Sequence, residues 1–142
     1  MNKDKSMLWI GRGLIGIVFL LNIQAAILFM WQPQYYRDGF ELNGIAGNVV
    51  VQGIGLLFVM RNVPYLVALI HPRKYRISLY EAIAMQAIGF LGETALLLSL
   101  PEGHAALSQT ALRFMLFDGP GLVLLLISAM LTRSRRAQAY FV

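Results

Sequence analysis

The sequence predicts an all-α integral membrane protein: a bundle of four membrane-spanning helices in a single domain, with both the N and C termini cytoplasmic. Three observations predict this class. The 142 residues are 58% hydrophobic and only 13% charged, whereas a soluble domain carries about 25% charged residues. Four apolar segments are each long enough to cross a bilayer. Most of the basic residues lie on one side of those segments.

The apolar segments define the spans. A hydrocarbon core of about 30 Å requires roughly 20 apolar residues in a helix. The spans are therefore expected at about 7–31, 44–62, 79–100 and 113–132. The first run is longer than the apolar region of a signal peptide, and no small-x-small cleavage site follows it, so we expect a retained span. No internal repeat divides the chain, which predicts one domain over 1–142.

The lower end of the second span has two interpretations. In the first, the helix ends near Arg61 and the apolar segment Tyr65–Ile70 lies in the membrane interface. In the second, the helix continues with a kink at Pro64, because proline removes a helical hydrogen bond. The second interpretation puts Arg61 near the middle of the membrane, which is costly without a partner. Energy therefore favours the first.

The distribution of basic residues predicts the orientation. Two of the twelve, Arg37 and Arg113, lie in the outer connections. Lysine and arginine concentrate in cytoplasmic loops, so both termini are expected in the cytoplasm and the net charge of +5 indicates topology rather than nucleic-acid binding. The ten residues on the cytoplasmic side are Lys3, Lys5, Arg12, Arg61, Arg73, Lys74, Arg76, Arg133, Arg135 and Arg136.

The residue types limit the chemistry. The chain has no cysteine, which excludes disulfides and thiolate metal sites. His71 and His104 are too far apart in the sequence to suggest a metal or haem site. No serine or threonine has a histidine in plausible reach, and no glycine-rich loop joins a strand to a helix. We therefore expect no catalytic or metal-binding residues, and the sequence favours a binding or accessory role over an enzyme.

Eight polar side chains lie within the apolar segments or at their ends, where polarity is costly. With a rise of about 1.5 Å per residue from the basic residues, Asn22, Glu93 and Asp118 all lie about 22–25 Å above the cytoplasmic side. Three helices thus bring polar groups to one level in the outer half of the bilayer. The candidate ligand-binding or polar-core residues are Asn22, Gln24, Asn48, Gln52, Gln86, Glu93, Arg113 and Asp118.

Arg113 is expected to pair with two carboxylates. It can reach down toward Glu93 and Asp118, which have no water to bind inside a closed bundle. Gln86 lies two turns from Glu93 on the same helix face. Pro120 lacks an N–H and should loosen the helix next to Asp118. Two interpretations stay open: these residues only fix the register of the helices, or they form a pocket that handles a ligand or a proton.

The glycine pattern resembles a known family. The segment Arg12-Gly-Leu-Ile-Gly-Ile-Val-Phe-Leu at the start of the first span is similar to the DoxX-like group of small bacterial membrane proteins. Two further segments resemble its BphX-type branch: Gly47-Asn-Val-Val-Val-Gln-Gly-Ile-Gly and Gln86-Ala-Ile-Gly-Phe-Leu-Gly-Glu93. The resemblance covers most of the chain and implies a four-helix bundle in the bacterial cytoplasmic (inner) membrane. Some DoxX relatives are linked to thiosulfate oxidation with quinone, while many have no assigned activity. We therefore expect no cofactor, and a quinone or a lipid is the ligand that a polar pocket would take.

The sequence thus predicts a small membrane protein that serves as an accessory or binding subunit, with a polar pocket and a link to quinone or oxidoreductase systems. The alternative is a small proton-coupled transporter, because Asp118 adjoins Gly119-Pro120-Gly121. Such a transporter is expected to act as an oligomer, since four short helices enclose little volume. A scaffold subunit is a third hypothesis. The expected partners are the lipid bilayer and either a membrane complex or a second copy of the chain.

Overall fold

The computed structural model describes residues 3–133, which form helices and loops without strands. Two short 3-10 helices, Pro33–Tyr35 and Arg37–Phe40, connect the first two α-helices. Four helices are long and apolar enough to cross a membrane when α2 and α3 count as one interrupted helix, Gly44–Ile70. This confirms the prediction of an all-helical fold with four helices long and apolar enough to span a membrane. The α-helices are α1 (Lys3–Trp31), α2 (Gly44–Arg61), α3 (Val63–Ile70), α4 (Arg76–Ser99) and α5 (Ala105–Leu131).

Helix α1 packs through one narrow stripe. Its buried residues recur every three or four positions, which is the spacing of one helix face. The helix ends just before Gln32-Pro33, since the residue before a proline disfavours the helical conformation. The stripe consists of Gly11, Ile15, Val18, Asn22, Ala26 and Phe29.

The second apolar helix continues past Arg61, as the second interpretation of the sequence requires. Only Asn62 separates α2 from α3, and its side-chain amide donates to the Phe58 carbonyl at 2.7 Å. Tyr65 is fully buried in the core rather than lying in an interface. The apolar helix therefore extends to Ile70, eight residues beyond the expected end at 62. Arg61 consequently lies within the bundle and not on its basic side.

The helices pack unevenly around α1. Helix α1 packs against α2, α3 and α5, and α4 packs against α5 and α3, whereas α2 hardly touches α4 over the described residues. The main core lies in the half of the bundle nearer the described termini. It consists of Ile15, Val18, Tyr65, Ala68, Leu79, Ala82 and Leu125. In the other half of the bundle, α2 and α4 are not closely packed against each other.

The two ends of the bundle carry different elements and different contacts. At the end that carries residues 3 and 133, here called the terminal end, Arg73 makes a bidentate ion pair with Asp4, at 2.7 and 2.8 Å. Arg12 on α1 donates to the Leu69 carbonyl at 2.9 Å. The opposite end, here called the loop end, holds the 3-10 helices and the α4–α5 connection. Arg135 and Arg136, expected at the terminal end, lie outside the described residues.

Candidate functional site

An ion pair joins α2 to α5 inside the bundle. Arg61 Nη2 lies 3.0 Å from Asp118 Oδ1, and Arg61 Nη1 lies 3.3 Å from Asp118 Oδ2. The side chains are 19% and 4% exposed, respectively. Two parallel hydrogen bonds between a guanidinium and a carboxylate fix both groups in one plane. This pair is what makes an arginine tolerable midway along an apolar helix.

Gln86 on α4 connects this pair to α3. Its Nε2 donates to Asp118 Oδ1 at 2.8 Å, and its Oε1 accepts hydrogen bonds from the Tyr65 hydroxyl and from Arg61 Nη2. Gln86 and Tyr65 are both fully buried. The polar network therefore runs through α2, α3, α4 and α5, and its orientation is set on each side by a neighbouring helix.

Two glycines make room for the network. A Cβ atom at Gly89 on α4 would overlap Asp118 Oδ2 and lie 3.1 Å from Arg61 Nη1. A Cβ atom at Gly121 on α5 would lie 2.5 Å from Gln86 Nε2. Small residues at these positions let polar side chains lie directly against the facing helix backbone. The network therefore depends on the glycines as much as on the polar residues.

A cavity of about 150 Å³ adjoins the ion pair. Its polar wall is formed by Asn22, Arg61, Glu93, Arg113 and Asp118. Four helices contribute these residues, since Asn22 is on α1, Arg61 on α2, Glu93 on α4, and Arg113 and Asp118 on α5. The wall carries two formal positive and two formal negative charges. Its polar groups thus balance in charge, and the cavity offers both donors and acceptors.

Two polar atoms of the cavity wall have no hydrogen-bond partner within the described part of the chain. They are Asn22 Nδ2, a donor, and Glu93 Oε2, an acceptor, and both are buried. Buried polar atoms in proteins are almost always satisfied by protein, water or ligand. The unpaired donor and acceptor both belong to residues that line the same cavity. They can therefore bind a molecule that carries an acceptor and a donor.

Aromatic rings form the remaining wall. Phe58, Phe114 and Phe117 line the cavity. Phe58 and Phe114 lie 5.9 Å apart between ring centroids, and each contacts Phe29 at 5.9 and 6.1 Å. Phe40 of the second 3-10 helix contacts Phe29 and Phe114. Since Phe58 and Phe114 precede Arg61 and Asp118 by about one turn, this cluster lies on the loop side of the ion pair.

The structure brings five of the eight sequence-predicted residues to the polar network or its cavity. Asn22, Gln86 and Asp118 are buried, and Glu93 is half-buried. Arg113 lines the cavity but is exposed.

The other three residues lie elsewhere. Gln24 is exposed on the outside of α1. Asn48 accepts a hydrogen bond from Arg37 at 3.2 Å, and Gln52 donates to the Met30 carbonyl at 3.2 Å. Asn48 and Gln52 thus support the loop end and the α1–α2 contact.

The expected role of Arg113 is wrong. Arg61 makes the ion pair with Asp118, and over residues 3–133 Arg113 has no hydrogen bond to either carboxylate. The sequence contained a signal for this: the apolar segment Tyr65–Ile70 lengthens the second helix until Arg61 lies midway along it. An arginine at that position requires an acid, and Asp118 is at a similar depth. Tyr65 and the three phenylalanines of the cavity were also not foreseen.

The chain has no identified relative, since no protein-family model, curated protein or solved structure matches it. The resemblance to the DoxX-like group therefore stays a prediction. Among the residues that the structure describes, no group of three or more His, Asp or Glu side chains could hold a metal ion.

Proposed function

We propose that the protein is a multi-pass membrane protein that binds a small, uncharged, ring-containing molecule in the cavity beside Arg61 and Asp118. The observation that carries this proposal is the unpaired donor Asn22 Nδ2 and the unpaired acceptor Glu93 Oε2 at one cavity. A purely structural polar layer would be expected to satisfy its own buried atoms. The paired Arg61 and Asp118 meet that expectation, whereas Asn22 and Glu93 do not.

The lining indicates the class of ligand. A hydroxyl group could donate to Glu93, and a hydroxyl or carbonyl oxygen could accept from Asn22. The ring would lie against Phe58, Phe114 and Phe117, since aromatic faces favour such contacts. A cavity of about 150 Å³ is large enough for benzene. The ligand class is therefore phenols and hydroquinones, because a quinone has no hydroxyl to donate to Glu93. This class fits an accessory subunit linked to quinone or oxidoreductase systems.

The same proposal includes membrane insertion with cytoplasmic termini. The Arg73–Asp4 pair places the α3–α4 connection beside the N-terminal end of α1, so the basic residues of both segments share one end of the bundle. A basic end is expected on the cytoplasmic side. The resemblance to a bacterial family extends the proposal to the bacterial cytoplasmic (inner) membrane. The proposed partner is a membrane complex or a second copy of the chain.

A proton-coupled transporter has less support. That hypothesis rested on Asp118 beside a loosened helix, but α5 is continuous through Pro120. Asp118 is also held by Arg61 and Gln86, so it is already committed to the polar network. Binding by the residues that remain unpaired is therefore the function that the site supports best.

Thermal unfolding of the purified protein in detergent tests this function. We expect a hydroquinone or phenol at about a hundredfold excess over its Kd to raise the unfolding midpoint by about 5–10 °C. Asn22→Leu and Glu93→Gln should reduce that shift. Gln24→Leu is the matched control on α1 because Gln24 is exposed. If no member of the panel stabilises the wild-type protein, the proposed function is wrong.

A further inference from the structure

A groove opens between α2 and α4 on the side of the bundle. Its volume is about 470 Å³, and it is lined by Met60, Arg61, Met85, Ile88 and Gly89. It exists because α2 packs against α1 and hardly touches α4 within the described part. On the terminal side of the groove, α3 packs against α4 and closes the bundle. The opening is therefore confined to the level of Arg61 and to the turns of α2 between Arg61 and the loop end.

The groove and the cavity share one wall, the side chain of Arg61. The guanidinium contacts to Asp118 and Gln86 use Nη1 and Nη2. An arginine offers five N–H donors, and the contacts to Asp118 and Gln86 come from the two terminal nitrogens alone. A molecule that enters the groove therefore meets the Arg61 side chain, which is 19% exposed and also borders the cavity.

The rest of the groove is apolar. Met60 is 60% exposed and Ile88 is 71% exposed. In a membrane these side chains face the lipid chains, so the groove is open to the bilayer rather than to water. Methionine side chains adapt to irregular apolar shapes, which suits a flexible hydrocarbon chain. The groove thus offers apolar walls with a hydrogen-bond donor at its inner end.

We propose that this groove is a lateral entrance that holds the hydrocarbon chain of the cavity's ligand, while a head-group oxygen accepts a hydrogen bond from Arg61. This inference rests on the proposed function and narrows its ligand to an uncharged, chain-bearing molecule dissolved in the bilayer. An anionic head group is disfavoured because Asp118 already neutralises Arg61 and would repel it. A water-soluble ring without a chain would use the cavity alone.

Variants that obstruct the groove test its role separately from that of the cavity. Binding of 4-decylphenol and of 4-methylphenol is measured on the full chain in phosphatidylcholine nanodiscs. Ile88→Trp fills the groove from α4, and Met60→Trp fills it from α2. Leu98→Trp on α4 and Val49→Trp on α2 are matched controls, because both residues are exposed and lie outside the groove.

We expect both groove variants to weaken 4-decylphenol binding at least about tenfold, since several methylenes lose their contacts. Binding of 4-methylphenol and the behaviour of both controls should match the wild type. Wild-type affinity of both groove variants for 4-decylphenol would overturn the entrance and leave the cavity standing, and so would an equal loss of both phenols. Failure of both phenols to bind the wild-type protein would overturn the proposed function itself, whereas failure of 4-decylphenol alone would overturn only the entrance.

Discussion

Arg61 and Asp118, which are 57 residues apart in the sequence, make a bidentate ion pair inside an apolar bundle. The pair joins α2 to α5, two helices that both pack against α1 and meet each other through side chains, since the Phe58 and Phe114 rings are also in contact. Buried ion pairs are expensive to form and more expensive to break, since removal of one partner leaves an uncompensated charge. The relationship therefore has a direct consequence for stability.

Removal of either charge should destabilise the protein. We expect Asp118→Asn and Arg61→Met each to cost about 3–5 kcal/mol of unfolding free energy, because each leaves one buried charge without its partner. The double variant should cost less than the sum of the two. Unfolding of the four proteins in the same detergent gives the coupling energy. Strictly additive effects would show that the two side chains do not stabilise each other.

The glycine at position 89 should be as important as the charges. A Cβ atom there would overlap Asp118 Oδ2, so the ion pair or the helix must move. We expect Gly89→Ala to cost about 1–3 kcal/mol, the usual range for overpacking. Gly92→Ala, on the same helix, is the control because nothing lies within 4 Å of its Cβ position. Equal unfolding midpoints for the two variants would contradict the close contact.

The sequence was sufficient for the fold because length and hydropathy decide which helices can span a bilayer. The four expected spans correspond to the four long apolar helices, but α5 begins at Ala105, eight residues before the expected start at 113, so Arg113 lies within the helix and not in a connection. The second helix extends beyond the predicted end because the cost of a charge inside a span depends on whether it has a partner. Asp118 is 57 residues away, so its contact with Arg61 follows from helix packing and not from local pattern.

The candidate site was predictable by depth but not by helix face. Asn22, Glu93 and Asp118 share a level, as the rise per residue predicts, and all three line the cavity. Gln24 lies close to the same level yet is exposed. Two residues apart on a helix, Gln24 and Asn22 point about 200° apart, so only one can face the bundle. Which one does so depends on the neighbouring helices.

Acidification should weaken the contact between Glu41 and His104 at the loop end. His104 Nδ1 lies 2.6 Å from Glu41 Oε2, and this hydrogen bond lowers the pKa of the Glu41 carboxyl from its ordinary value. A carboxyl whose pKa is lower in the folded state stabilises that state above the unfolded pKa of about 4.3. The stabilisation is lost as the pH falls through the lower folded value.

As the pH drops below about 4.3, the unfolding midpoint should therefore decrease more for the wild type than for Glu41→Gln. The two proteins should differ in stability at pH 6 and converge in stronger acid. Glu102→Gln is a suitable control, because Glu102 is an exposed carboxylate in the α4–α5 connection. A constant difference between wild type and Glu41→Gln at all pH values would indicate a packing effect instead of a titration.

Reporter fusions should place the loop end outside the cytoplasm. The α3–α4 connection lies at the terminal end, where Arg73 pairs with Asp4, so fusions at Lys74 and at the C-terminus should both report the inside. Fusions at Asp38 and Glu102, in the two connections of the loop end, should report the outside. Because α2 and α3 form one interrupted helix, the fusions at Asp38 and Lys74 must report opposite sides. If both fusions reported the same side, Gly44–Ile70 would not span the membrane. Arg61 would then not lie in the bilayer, and its charge would not need Asp118 as a partner.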